Sequence, residues 1–299
     1  MVKYLHILLT YNCSLRCKHC YVFSDQRAVG KISLSQISQI LNDARNLPDL
    51  TWVYFGGGEP FTQYPMLLKA IQRAKKLGYD VGVETNGYFA RTISAGLRFL
   101  KPLAKLGVKE IRISNDFLHY KNPFKSPANN AIAAAQQLGL STTIINIPYP
   151  DGKIPIQDQK RSGVNIIEPR LMYSGRAADT LVAQSQFYDW KKLTECPRRD
   201  LSDPQELFVD AYGFVQICPG ISIGNVNKQS LSTIIQDFDI NEHEILYPLL
   251  SLGPSGLVQV FNLESESEFA GPCHCCYMTR RELIDTYPDL LGPRNVYGF

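Results

Sequence analysis

An α/β fold is the class this sequence predicts: a parallel sheet or barrel followed by a smaller α+β unit. Two observations carry it. Over the first ~175 residues, six short β-rich runs (YLHILLT, TWVYF, YDVGVET, KEIRIS, STTIINI and VNIIEP) alternate with stretches of helical spacing, the pattern of βαβ units. After Ala178 the alternation stops and a turn-rich, cysteine-bearing region takes over. With 299 residues, 44% of them apolar, the chain can bury a sizeable core.

The elements follow in order. Between the first two runs, Leu34, Ile37, Ile40, Leu41 and Ala44 recur at helical spacing behind Ser33, a residue suited to cap a helix. After the second run, Leu67, Ile71 and Ala74 follow Pro65 and stop at Gly78, the Pro-first, Gly-last order of a helix. Pro148 to Gly163 is polar and rich in turn formers and reads as a long connection or flap between strands five and six. Beyond Ala178 a helix-like stretch runs through Trp190. Then ELFVDAYGFVQIC gives two β-rich runs meeting at Tyr212 and Gly213, a hairpin. We place the division at residues 1–180 and 181–299; the second unit has a thin apolar core and five cysteines, so a metal or cluster is expected to help hold it.

Composition bears on the partners. The net charge is +3, from 31 Lys and Arg against 28 Asp and Glu, with no basic stripe that would imply nucleic acid. No apolar run approaches the roughly 18 residues that cross a bilayer, and MVKYLHILLT does not read as a secretory signal. Eight cysteines without such a signal read as metal or cluster ligands in a reducing compartment, the cytoplasm.

Parallel barrels carry their chemistry on the loops after the strands, and the unusual residues of this chain sit there. Cys13, Cys17 and Cys20 follow strand one, in CSLRCKHC. Four-iron clusters are normally held by four thiolates, so three in one compact loop suggest a cluster with one iron open to exchange. Strand two ends in GGGEP, Gly56 to Pro60; strand three in Glu84, Thr85, Asn86 and Gly87; strand four in Ser114, Asn115 and Asp116; and strand five carries Asn146 near its end. Zinc also suits thiolates at the first spacing. His6, inside strand one, reads as a satisfied core histidine.

CxxxCxxC after the first strand and GGGEP after the second resemble the radical S-adenosylmethionine (SAM) superfamily. The resemblance implies a partial (β/α)6 TIM-like barrel, with Cys13, Cys17 and Cys20 holding a [4Fe-4S] cluster whose fourth iron takes the methionine end of SAM. It implies cofactor contacts from His19, Gly57, Gly58, Glu59, Asn86 and Ser114. Gly57 and Gly58 would let backbone approach the methionine ammonium, and Glu59 would anchor either that ammonium or the strand end. Asp116 and His119, in SNDFLH, are candidates for substrate contact or proton transfer. Arg176, after strand six, reads as an ordinary exposed arginine or as a partner for a cofactor or substrate carboxylate.

The second cysteine group, Cys196, Cys218, Cys273, Cys275 and Cys276, resembles the SPASM and Twitch extensions of that superfamily, with Cys273 and Cys276 as a CxxC just before a helix-like YMTRRELIDTY. Five cysteines support one auxiliary cluster, so the Twitch-like form fits better, with Cys196, Cys218, Cys273 and Cys276 as ligands of an auxiliary [4Fe-4S] cluster and Cys275 spare. The implied activity is reductive cleavage of SAM to a 5′-deoxyadenosyl radical that takes a hydrogen from a peptide or small metabolite. The outcome is oxidation or bond formation, with flavodoxin or ferredoxin as electron donor. Two other readings fit the same residues: a redox-neutral epimerase with Cys275 as hydrogen donor, and a non-catalytic module stabilised by zinc.

Overall fold

The computed structural model describes residues 2–150, 164–197, 200–263 and 266–299. Its first part is the expected alternation: β1 (Tyr4–Leu8), α1 (Leu34–Asp43), β2 (Trp52–Gly56), α2 (Tyr64–Lys76), β3 (Asp80–Thr85), α3 (Ile93–Lys105), β4 (Glu110–Ser114), α4 (Pro127–Gln137), β5 (Ser141–Ile145) and β6 (Val164–Ile167). Each strand falls inside one of the six predicted runs, except that β2 extends one residue past TWVYF to Gly56. Ser33 caps α1 as its composition suggests, and Gln36 completes a capping box with it. Most of the expected connection at 148–163 lies outside the described residues.

Strand alternation sorts the side chains by face. Leu5, Ile7, Val53, Phe55, Val81, Val83, Ile111 and Ile113 belong to one apolar core with residues of the helices. The other face is polar and closely bonded. Arg112 stacks over the Tyr54 ring at 4.0 Å and donates to Glu110 (3.0 Å), Glu84 (3.2 Å) and the Tyr54 hydroxyl (2.8 Å). Thr143 donates to the other oxygen of Glu110 at 2.6 Å. His6 stacks on Tyr54 and lies 3.2 Å from Glu206, which makes it the satisfied interior histidine expected.

The second part contains α5 (Arg176–Thr180), β7 (Tyr188–Asp189), β8 (Glu206–Val209), β9 (Phe214–Cys218), β10 (Ile221–Asn225), α6 (Leu231–Gln236), α7 (Leu246–Phe261), β11 (Glu268–Phe269) and α8 (Pro272–Leu283). The hairpin β8–β9 forms as read, with Gly213 at φ +88° in its turn. The helix-like stretch through Trp190 does not: it breaks into α5 and two short 3₁₀ turns at Val182–Gln184 and Trp190–Lys192. Polar Gln184 to Gln186 interrupts any apolar face there.

The two parts share one sheet. β8 pairs in parallel with β1, β9 and β10 add antiparallel strands beyond it, and the nine strands run β10-β9-β8-β1-β2-β3-β4-β5-β6. The thin separate core expected for the second unit is therefore replaced by a common one, in which Val209, Val215, Ile217 and Tyr297 pack with Leu5 and Ile7. A buried carboxylate fastens the junction: Asp210 accepts from Tyr11 and Gln216, each at 2.8 Å, and from the backbone N–H groups of Tyr212 and Phe214. Among the described residues no helix is long and apolar enough to cross a membrane.

Candidate active site

The loop after β1 brings Cys13, Cys17 and Cys20 to the wall of one cavity of roughly 220 Å³, and the three sulfurs act on one another electrostatically. Burial pushes the Cys13 thiol up to about 12 and the Cys17 thiol higher still. Backbone holds the loop. The Cys13 sulfur accepts from Leu15 N–H at 3.4 Å, and the Cys20 sulfur from Ser24 N–H at 3.2 Å.

GGGEP interlocks with this loop. Gly58 N–H donates to the Thr10 carbonyl at 2.6 Å, and Glu59 N–H to the Asn12 carbonyl at 2.9 Å. A Cβ on Gly57 would lie 2.5 Å from Thr10 O, and one on Gly58 2.5 Å from Tyr11 O. Both glycines also line the cavity. Their first requirement is thus contact with the run-in to the cysteine loop, a reason additional to the approach of a cofactor.

Glu59 takes the second of its two expected roles. It is fully buried and accepts from Thr85 Oγ1 (2.8 Å), Asn86 N–H (2.8 Å) and Phe61 N–H (3.0 Å), so it anchors the end of β3. It is not among the cavity-lining residues; burial raises its carboxyl to about 7 against those hydrogen bonds. Asn86, which it positions, lines the cavity and donates to Ser14 Oγ at 3.1 Å, with its amide 3.6 Å from the Cys13 sulfur.

Ser114, His19 and His119 complete the wall from the other side. Asp116 is buried behind them and its carboxylate grips His119 Nδ1 at 2.9 and 3.0 Å while accepting from the backbone of Leu118, His119 and Ile147. Burial opposes its charge, but pairing with His119 prevails and holds the carboxyl at about 2. His119 meets His19 edge to face at 4.4 Å. Burial drives His19 down to about 3, and its Nδ1 has no hydrogen-bond partner among the described residues.

Arg176 is neither exposed nor a carboxylate receptor in the cavity. It is buried and donates to Cys17 O at 2.6 Å and Ser24 O at 3.0 Å, with Asp25 at 3.9 Å and its own N–H on Cys20 O. Gly175, at φ +58°, lets it in: a Cβ there would lie 2.5 Å from Cys20 O. The clamp joins residues 159 apart in sequence, which is why composition alone misses it.

Residues 7–152 match the family model described as the radical SAM superfamily. This stretch is a radical SAM domain. The family implies SAM and a [4Fe-4S] cluster, and the three convergent thiols, the glycine cradle and the adjoining cavity fit that pair. The chain is 36% identical over 118 residues to the tungsten-containing aldehyde ferredoxin oxidoreductase cofactor-modifying protein of Pyrococcus furiosus, a match covering 39% of this chain and 32% of that protein. It is 20% identical over 208 residues to YydG of Bacillus subtilis, whose name assigns it to peptide biosynthesis; that match spans 67% of this chain and 65% of the relative. The crystal structure of BtrN with AdoMet and 2-DOIA superposes with a TM-score of 0.52 at 12% identity, covering 85% of this chain and 88% of that one, a likeness of fold.

The second cysteine group lies beyond the radical SAM domain. Cys218 ends β9, Cys196 sits on the loop after the Trp190 turn, and both sulfurs act electrostatically on Cys276. The CxxC does not precede a helix; α8 starts at Pro272 and contains it. Cys273 and Cys276 are therefore three residues apart on one helix face, while Cys275 points elsewhere. It is wholly buried with Trp190, Leu193, Val258 and Phe269 in a separate apolar cluster, away from the cavity walls. That placement keeps it off the wall of the described cavity. Among the described residues no group of three or more His, Cys, Asp or Glu closes around a single ion.

Proposed function

We propose that this chain is a radical SAM enzyme that oxidises a substrate presenting a group of side-chain size, either a small metabolite or one residue of a peptide. Cys13, Cys17 and Cys20 would hold the [4Fe-4S] cluster, with Gly57, Gly58, Asn86 and Ser114 beside SAM. The bound pair supplies reductive cleavage of SAM and hence a 5′-deoxyadenosyl radical able to take a hydrogen atom. Cys196, Cys218, Cys276 and, one turn earlier, Cys273 would hold an auxiliary iron-sulfur cluster, a one-electron acceptor.

The chain's own residues do the rest. His119 faces the cavity with its Nδ1 committed to Asp116, which leaves the outer ring nitrogen to receive a proton as the substrate is oxidised. His19 and the segment from Pro169 to Met172 wall the cavity and limit the water and oxygen that reach it.

One observation carries this reading: the cysteine loop, the glycine cradle and the His119–Asp116 pair surround a single cavity. YydG, named as a peptide biosynthesis protein, supports the peptide class of substrate. Protein reconstituted with iron and sulfide without air should release 5′-deoxyadenosine from SAM and dithionite, and Cys17→Ala should abolish release. A wild-type protein that loads iron and sulfide and releases none would refute the reading.

A further inference from the structure

The rear cysteines have a cation beside them that nothing else in the structure explains. Arg280, one helical turn after Cys276 in α8, is 2% exposed. Its Nε donates to Cys276 O at 3.1 Å, and one terminal nitrogen donates to Pro219 O at 3.0 Å and to Tyr297 Oη at 2.9 Å. The Tyr297 hydroxyl passes its own proton to Gly220 O at 2.7 Å, and the rings of Tyr277 and Tyr297 flank the guanidinium. Every group named is neutral.

Arginine does not shed its proton in proteins, and a buried charge without a counter-charge costs several kcal/mol. The other inward arginines have carboxylates: Arg112 has Glu84 and Glu110, and Arg176 has Asp25. Arg280 has none among the described residues. Burial works against its charge; the groups that favour it are the Tyr297 hydroxyl and the sulfurs of Cys276 and Cys218, and the guanidinium is hydrogen-bonded to the carbonyls of Cys276 and of Pro219, the residue after Cys218. The missing anion is therefore sulfur.

We infer that Arg280 is the built-in counter-ion of the rear centre and sets its reduction potential, making the cluster held by Cys196, Cys218 and Cys276 a better electron acceptor. The inference rests on the reading that these cysteines hold an iron-sulfur cluster. A fixed positive charge inside a low-dielectric pocket stabilises the more negative, reduced state of such a cluster. Tyr297 and the two backbone carbonyls hold the guanidinium in place. Arg280 is thus a positioning and tuning residue, which touches the ligand and not the substrate.

The test uses the full chain with Cys13, Cys17 and Cys20 changed to Ala, so that only the rear centre loads, and follows its reduction by EPR during a redox titration. Arg280→Gln should move the midpoint to more negative potential, by a tenfold or greater drop in the reduced-to-oxidised ratio at fixed poise, about 59 mV per tenfold for one electron. Arg280→Lys, which keeps the charge, should recover part of that shift. An unchanged midpoint in Arg280→Gln with the cluster intact would overturn the inference. If Arg280→Gln fails to load iron, loading by Arg280→Lys supports it, and failure of both variants overturns it in favour of a purely shape-filling role. Absence of iron and sulfide from the three-alanine parent would instead refute the rear cluster itself.

Discussion

The two cysteine sites of this chain each lean on a buried arginine, and the arginines are used differently. At the front, Arg176 crosses from the α5 end to hold the carbonyls of Cys17 and Ser24, and Asp25 stands 3.9 Å away to balance it. At the rear, Arg280 belongs to the same helix as Cys276 and has neutral oxygens and cysteine sulfur around it. The front arginine shapes a loop; the rear one charges a pocket. The front sulfurs open on a cavity bordered by His119, Asn86 and two glycines, as a site that must admit a cofactor and substrate requires. The rear sulfurs sit near Arg280, packed against the shared core, as the proposed electron acceptor would require.

The strongest way to break this contrast is to force the front motifs apart. Gly58→Ala places a methyl group against the carbonyl of Tyr11, and such overpacking costs about 1–3 kcal/mol while displacing the cysteine loop. We expect loss of SAM cleavage and of front-cluster iron, with rear-cluster iron retained, as measured by iron content and product release.

Arg176→Met tests the clamp. It frees two buried carbonyls and leaves Asp25 with only the exposed Arg16 as cation, for an expected loss of about 2–3 kcal/mol in denaturant unfolding. Front-cluster loading should slow while the midpoint potential of the rear cluster stays put. The reverse pattern, with the rear potential moving, would dissolve the distinction between the two arginines.

The seam between the two parts should titrate. Burial raises Asp210 to about 6, above its unfolded value. The stability it lends is therefore full at pH values below the unfolded carboxyl and is lost as pH rises through about 6. Unfolding free energy should fall by roughly 1–3 kcal/mol between about pH 4 and pH 7.5, and Asp210→Asn should flatten that slope.

The smallest effect belongs to Cys275. Because it packs with Trp190, Leu193, Val258 and Phe269, Cys275→Ala should cost about 1 kcal/mol and leave turnover and iron content unchanged. A loss of turnover with the fold intact would favour its candidacy as a hydrogen donor.

Local signals explain what the sequence disclosed. Strand alternation, the Ser33 cap and the Pro65-to-Gly78 helix depend on near neighbours, and each matches the structure. The front cysteines and GGGEP were legible because one motif spans a single loop and the other the next. Contacts across the chain were not: Arg176 meets Cys17 from 159 residues away, and Asp210 meets Tyr11 from 199. The addition of β8 to β1 is likewise a pairing no local pattern reveals. The CxxC lies inside α8 where the sequence reading put it just before the helix. Pro272, at the first turn of that helix, was the available signal, and with it Cys273, Cys276 and Arg280 align on one face.

The most direct measurement of the central claim is the count of iron and acid-labile sulfide in chains prepared without air. Two four-iron centres predict about eight of each per wild-type chain, and about four when either Cys13, Cys17 and Cys20 or Cys196, Cys218 and Cys276 are replaced together by Ala. Zinc in place of iron, with no inorganic sulfide in the wild-type chain, would contradict the account.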